Sequence, residues 1–98
     1  MDRRKSALPI GDLLADYLRE SGLEQPLLEQ RLMMLWPEVV GKPAATLTAG
    51  LEVKNGVLYA RLRSAALKAE LFQCRFEVVG KLNEAVGAKI IRDIRFLG

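Results

Sequence analysis

Few side chains in this sequence could do covalent chemistry, and those few do not converge. The 98 residues contain no histidine and a single cysteine, Cys74. That composition removes Ser-His and Cys-His nucleophile pairs, thiolate clusters and the zinc sites that use imidazole. The carboxylates of Glu20, Glu24, Glu29 and Glu38 are spread along helix-like segments, without the convergent pairing that acid–base work requires, and read as surface charge. Cys74 occupies an apolar position of a helical pattern and reads as a buried, inert thiol. With no second cysteine it forms no internal disulfide, a usage that fits a reducing cytoplasm. An enzyme is therefore the poorest reading, and no cofactor, metal or small-molecule substrate is expected.

The remaining reactive types suit binding. Tyr59, Arg61 and Arg63 alternate along a strand-like run, so they share a face on which arginines could hold phosphates and the tyrosine could stack on a base. A solvated sheet face, with Glu52 opposite Tyr59, has the same look. Lys68 and Arg75 further on either extend that stripe or solubilise a helix edge. Arg3, Arg4 and Lys5 form a short basic arm that would add counterion-release affinity for a polyanion. Trp36, the one tryptophan, is followed by Pro37, Glu38 and Gly41. It could be a partner hot spot, but its helical spacing with Leu32 favours a core anchor. That shifts the expected partner contact to the Pro37–Glu38 turn, framed by Gly41.

These residues need elements to position them. Half of the residues are hydrophobic and 28% are charged, with a net charge of +3. That is the balance of one globular domain, expected over residues 9–98 behind a flexible basic arm at 1–8. No apolar run approaches the roughly 20 residues that span a bilayer, and no apolar segment follows the basic start, so a cytoplasmic protein is expected. A first helix is predicted from Pro9 to Glu20, with Ile10, Leu13, Leu14, Tyr17 and Leu18 on one stripe. Ser21-Gly22 stops it. A second helix begins near Pro26 and turns Leu28, Leu32, Leu35, Trp36 and Val39 inward. Pro37 should kink or restart it, and Gly41-Lys42-Pro43 should end it.

Asn55-Gly56 marks a two-residue hairpin that pairs Lys54 with Val57, Val53 with Leu58, Glu52 with Tyr59 and Leu51 with Ala60. Leu51, Val53, Leu58, Ala60 and Leu62 then face the core. Ser64 caps a long helix to about Val86, with an inner stripe of Leu67, Leu71, Cys74, Val78, Leu82 and Ala85. Phe72 and Val79 widen the stripe, and Phe76 lies further round, either touching the first helix or free for a partner. A last strand is read over Lys89–Phe96, able to pair in parallel with the hairpin through the helical crossover. The fold class is α+β, in the order α-α-β-β-α-β, with a three-stranded sheet packed against helices.

Several of these elements together resemble the DciA-like family. The run Trp36 to Gly41 fits Trp-x-x-Val-Val-Gly, ahead of a strand, a short turn and a second strand. Ser64 with Ala66-Leu67 and Glu70-Leu71, then Leu82-Asn83 with Gly87, and finally Ile94-Arg95-Phe96 complete the pattern from about Pro9 to Phe96. The likeness is strongest to short Bacteroidetes-type members. It implies a KH-like domain that binds the replicative, DnaB-type helicase and assists its loading on DNA, with an affinity for DNA; the Tyr59, Arg61 and Arg63 stripe suits a weak contact with a single strand. Better-known members carry a long basic extension, whereas this sequence ends at Gly98 without one, a departure that bears on the family's tail-dependent DNA and helicase contacts. The Gly-x-x-Gly loop of true KH domains is absent, which argues against sequence-specific RNA reading. The competing reading is a general nucleic-acid-binding module for RNA or DNA that has no helicase partner.

Overall fold

A computed structural model describes residues 14, 16, 17 and 19–98 of the chain. The basic arm Arg3-Arg4-Lys5, and Ile10, Leu13 and Leu18 of the first predicted helix, lie outside the described residues. Residues 14, 16, 17, 19 and 20 are helical, and the turn at Ser21-Gly22 follows. Leu14 and Tyr17, expected on an inward stripe, are exposed. Their spacing marks a helix correctly, but among the described residues no element covers them.

Helix α1 (Glu24–Met34) buries Leu32 completely. Leu35 is a one-residue break, and α2 (Trp36–Val40) restarts with Pro37 in its first turn, where a missing N–H costs nothing. The chain does not leave the helical layer at Gly41, as the Gly-Lys-Pro sequence suggested. Gly41 takes φ 93°, ψ 156°, backbone space that is essentially glycine's alone. A further short helix, α3 (Lys42–Thr46), begins immediately, with Pro43 in its first turn and Ala44 buried.

Strands β1 (Thr48–Lys54) and β2 (Val57–Leu62) pair antiparallel in the predicted register: Lys54 with Val57, Val53 with Leu58, Glu52 with Tyr59, Leu51 with Ala60. Asn55 at φ 51° and Gly56 at φ 78° make the primed turn whose twist suits a hairpin. Strand β1 begins at Thr48, ahead of the predicted start at Leu51, and its register with β2 shifts between Thr48 and Gly50.

Helix α4 (Ala65–Gln73) is capped as expected, with the Leu67 N–H donating to Ser64 Oγ at 3.1 Å. The long helix is not continuous. It breaks at Cys74 (φ −110°, ψ 23°) and resumes as α5 (Arg75–Val86). No proline or glycine announces this break, because its freed carbonyls find local partners. The Cys74 N–H donates to Leu71 O at 3.2 Å, and Arg75 Nη1 donates to Phe72 O at 3.2 Å. The break lets α4 and α5 follow different paths over the sheet. Ala85 and Phe72 fall outside the core as a result, whereas Leu71, Val78, Val79 and Leu82 are buried.

The last strand, β3 (Asp93–Leu97), is shorter than predicted and starts four residues later. It pairs with β2 in parallel, Leu58 beside Ile94 and Tyr59 beside Arg95, giving the order β1-β2-β3. Ile90 and Ile91 are buried in the connection instead, held by one side chain. Asn83 Oδ1 accepts from the Ile90 and Ile91 N–H groups at 3.0 and 3.1 Å, and Asn83 Nδ2 donates to Ile91 O at 2.8 Å. The protein is thus α+β, with a three-stranded sheet packed against helices. Leu32, Trp36, Leu58, Leu82 and Ile94 are the largest fully buried side chains of its core.

Candidate functional site

Two surfaces carry the candidate residues. The first is the sheet face turned away from the core. Because alternate residues of a strand point to opposite sides, Leu58, Ala60 and Leu62 go inward, and Tyr59 and Arg61 go outward. Arg61 is exposed and Tyr59 half-buried. Parallel pairing then sets Arg95 of β3 beside Tyr59, exposed on the same face, and Leu97 beside Arg61. Arg95 is the residue that reading the sequence overlooked. The alternation of Ile94, Arg95 and Phe96 was visible, but only strand pairing puts Arg95 next to Tyr59.

On the other flank of β2, Gly50 of β1 stands opposite Arg61 and brings no side chain to cover it. A shallow depression of about 140 Å³ results, bordered by Gly50, Glu52, Tyr59, Arg61 and Leu97. Glu52 lies 3.8 Å from Lys54 Nζ, an exposed pair that offsets the carboxylate's charge weakly. Arg63 follows β2 directly and is exposed, its N–H donating to Leu47 O at 2.8 Å. Lys68 lies off the face. One turn into α4, it borders a recess of about 240 Å³ with Arg63 and Ser64, at the end of the sheet remote from the hairpin turn.

Arg75 does not extend the stripe. Its Nε donates to Asp93 Oδ1 at 3.3 Å, and its guanidinium lies 4.1 Å from the Phe72 ring centroid and 4.4 Å from that of Phe76. The sequence left Arg75 either extending the stripe or solubilising a helix edge; the turn at Cys74 and the start of β3 give it instead a carboxylate and two rings.

The second surface is the corner after α1. Trp36 is 1% exposed, and its Nε1 donates to Thr48 Oγ1 at 3.0 Å, which itself donates to Ala44 O at 2.9 Å. The ring therefore joins α2, α3 and β1 from inside and offers no contact surface of its own. Pro37 and Glu38 are exposed beside it, and Gly41 is half-buried. Since Leu47 follows α3 and accepts from Arg63, the chain runs from this corner straight to the arginine end of the sheet.

Among the described residues, no group of three His, Cys, Asp or Glu side chains could hold a metal ion, and no helix is long and apolar enough to cross a membrane. The architecture defines a small α+β protein whose sheet keeps one arginine-bearing face open.

Comparison with known proteins agrees with the sequence pattern. The family described as "Dna[CI] antecedent, DciA" matches residues 9–96. The chain belongs to the DciA family. It is also similar to a UPF0232 protein of Rhodococcus jostii (strain RHA1), 23% identical over 90 residues. That alignment covers 92% of this chain and 48% of the relative, so the chain spans about half the length of the curated relative it matches. No solved structure matches the chain.

Proposed function

We propose that this protein is a non-catalytic accessory of DNA replication that binds the replicative, DnaB-type helicase and assists its placement on DNA. Membership of the DciA family over residues 9–96 is the observation that carries the reading, and it fits a replication accessory role. In this reading the helicase docks on the corner formed by Pro37, Glu38 and Gly41, which Trp36 supports from within. Single-stranded DNA lies across Tyr59, Arg61 and Arg95 and reaches Arg63, with Lys68 at the edge of its path. Arginine holds phosphates without reading sequence, and the half-buried tyrosine offers a ring to a base in the depression left by Gly50. Arg3, Arg4 and Lys5 add non-specific attraction to the same polyanion. The protein works in the cytoplasm, where the replicative helicase is.

Calorimetric titration of the cognate replicative helicase with the full chain tests this directly. A saturable complex at micromolar concentrations is expected, weakened by Glu38→Lys. No complex under those conditions overturns the helicase reading. If oligonucleotides still bind, the general nucleic-acid module takes its place, a reading favoured by the arginines that β2 and β3 bring together.

A further inference from the structure

Beside the arginine face, an open groove of about 500 Å³ runs between α4 and β3. Ala69 and Phe72 of α4 face Ile94 and Phe96 of β3 across it, and Lys68 and Arg95 also border it. Among the described residues, no carboxylate lines it. Among the described residues, β3 ends the sheet and pairs with β2 alone, so along the groove it has one unpaired edge.

Phe72, which lines the groove, is 53% exposed, and Phe76, which shares Arg75 with it outside the lining, is 60% exposed. Rings this exposed would ordinarily move freely, but the Arg75 guanidinium stacks on both, at 4.1 and 4.4 Å from their centroids. Arg75 is itself fixed by Asp93 Oδ1 at 3.3 Å and by Phe72 O at 3.2 Å. The aromatic wall is thereby ordered before anything binds, which lowers the entropy that a ligand must overcome.

We infer that this groove receives an acidic, apolar peptide segment of a partner protein, which adds as a strand along the free edge of β3. An added strand presents alternate side chains to one face, so apolar residues enter between α4 and β3 while acidic ones meet the cations at the border. The charge also decides between occupants. A second copy of this chain would bring Lys68 and Arg95 against the same residues in an isologous contact, placing like charges together. A segment rich in Asp or Glu meets them with the opposite sign.

The test uses the full chain and two fluorescein-labelled decapeptides. One alternates Asp with Ile and Phe; the other has Lys in place of Asp. The acidic peptide is expected to bind about tenfold or more tightly than the basic one, as charge complementarity across a contact requires. Ala69 is exposed on α4, so its replacement spares the fold. Ala69→Glu should weaken the acidic peptide about tenfold and Ala69→Gln only about twofold, because the carboxylate adds repulsion to the same bulk. Amide exchange over Ile94–Leu97 should slow on binding. Equal binding of the two peptides overturns the proposal, as does an Ala69→Glu variant no weaker than Ala69→Gln. So does a concentration-dependent dimer abolished by Ala69→Glu, which gives the groove to a second copy. Oligothymidylate binding that Ala69→Glu weakens, without peptide binding, gives it to nucleic acid.

Discussion

Removing Arg95 should damage DNA binding as much as removing Arg61, although the two are far apart in the sequence. Each stands exposed on the outward face, on neighbouring strands, two register positions apart. If each arginine neutralises one phosphate of a single strand, each contributes about 0.7 to the slope of log affinity against log salt. Arg61, Arg63 and Arg95 together supply a slope of about 2.1, so raising salt from 50 to 200 mM weakens their joint contribution roughly 18-fold. Either Arg61→Ala or Arg95→Ala lowers the slope by about 0.7, and the affinity ratio between those salt concentrations shrinks roughly 2.6-fold.

Other cations of the chain add a constant to all three proteins, so the comparison rests on differences. Fluorescence anisotropy with oligothymidylate across a salt series measures them. Tyr59→Ala serves as the contrasting variant, expected to weaken binding by about 1–3 kcal/mol through lost stacking, with the slope unchanged. A slope unchanged in both arginine variants would mean that the face is merely solvated. A slope changed by Arg61→Ala alone would refute the use of the β2–β3 pairing, and confine any contact to the hairpin.

Three further outcomes follow from the packing. Asn83→Ala strips partners from two N–H groups and one carbonyl of the segment that leads into β3, and should cost about 2–3 kcal/mol in urea denaturation; Asn83→Asp, which keeps both acceptor contacts, should cost less. Trp36→Phe leaves Thr48 Oγ1 without its indole donor and opens a small cavity, lowering stability by about 1–3 kcal/mol with the helices still formed by circular dichroism. Gly56→Ala forces a side chain into φ 78° and onto the guanidinium of Arg92, which itself bonds to Asn55 O, so a loss of about 1–2 kcal/mol by thermal melting is expected.

Where the sequence was legible, the reason was local. Asn55-Gly56 selects one turn, the turn selects one register, and the register sends Leu58, Ala60 and Leu62 to one face and Tyr59 and Arg61 to the other. Ser64 caps α4 through a contact three residues away, and Pro37 restarts a helix in its own first turn. The features that escaped are those in which the backbone finds partners that spacing does not announce. The break at Cys74 carries no proline or glycine and is satisfied by Arg75 and by the turn itself. Ile90 and Ile91 look like strand residues, but Asn83 claims their N–H groups and delays β3 to Asp93.

By itself, then, the sequence determined the inventory: helices, a hairpin of known register, the family pattern from Trp36 to Phe96, and a chain without histidine or a thiolate pair. Each of these depends on residue type or on contacts within a few positions. Tertiary structure alone decided which surfaces result. It sealed the Trp36 ring behind Thr48 and left Pro37 and Glu38 outside; it added Arg95 to the Tyr59–Arg61 face and withdrew Arg75 to Asp93 and two phenylalanines. Those outcomes turn on which strand lies beside which, and on where α4 gives way to α5, relations between residues remote in the chain that periodicity cannot encode.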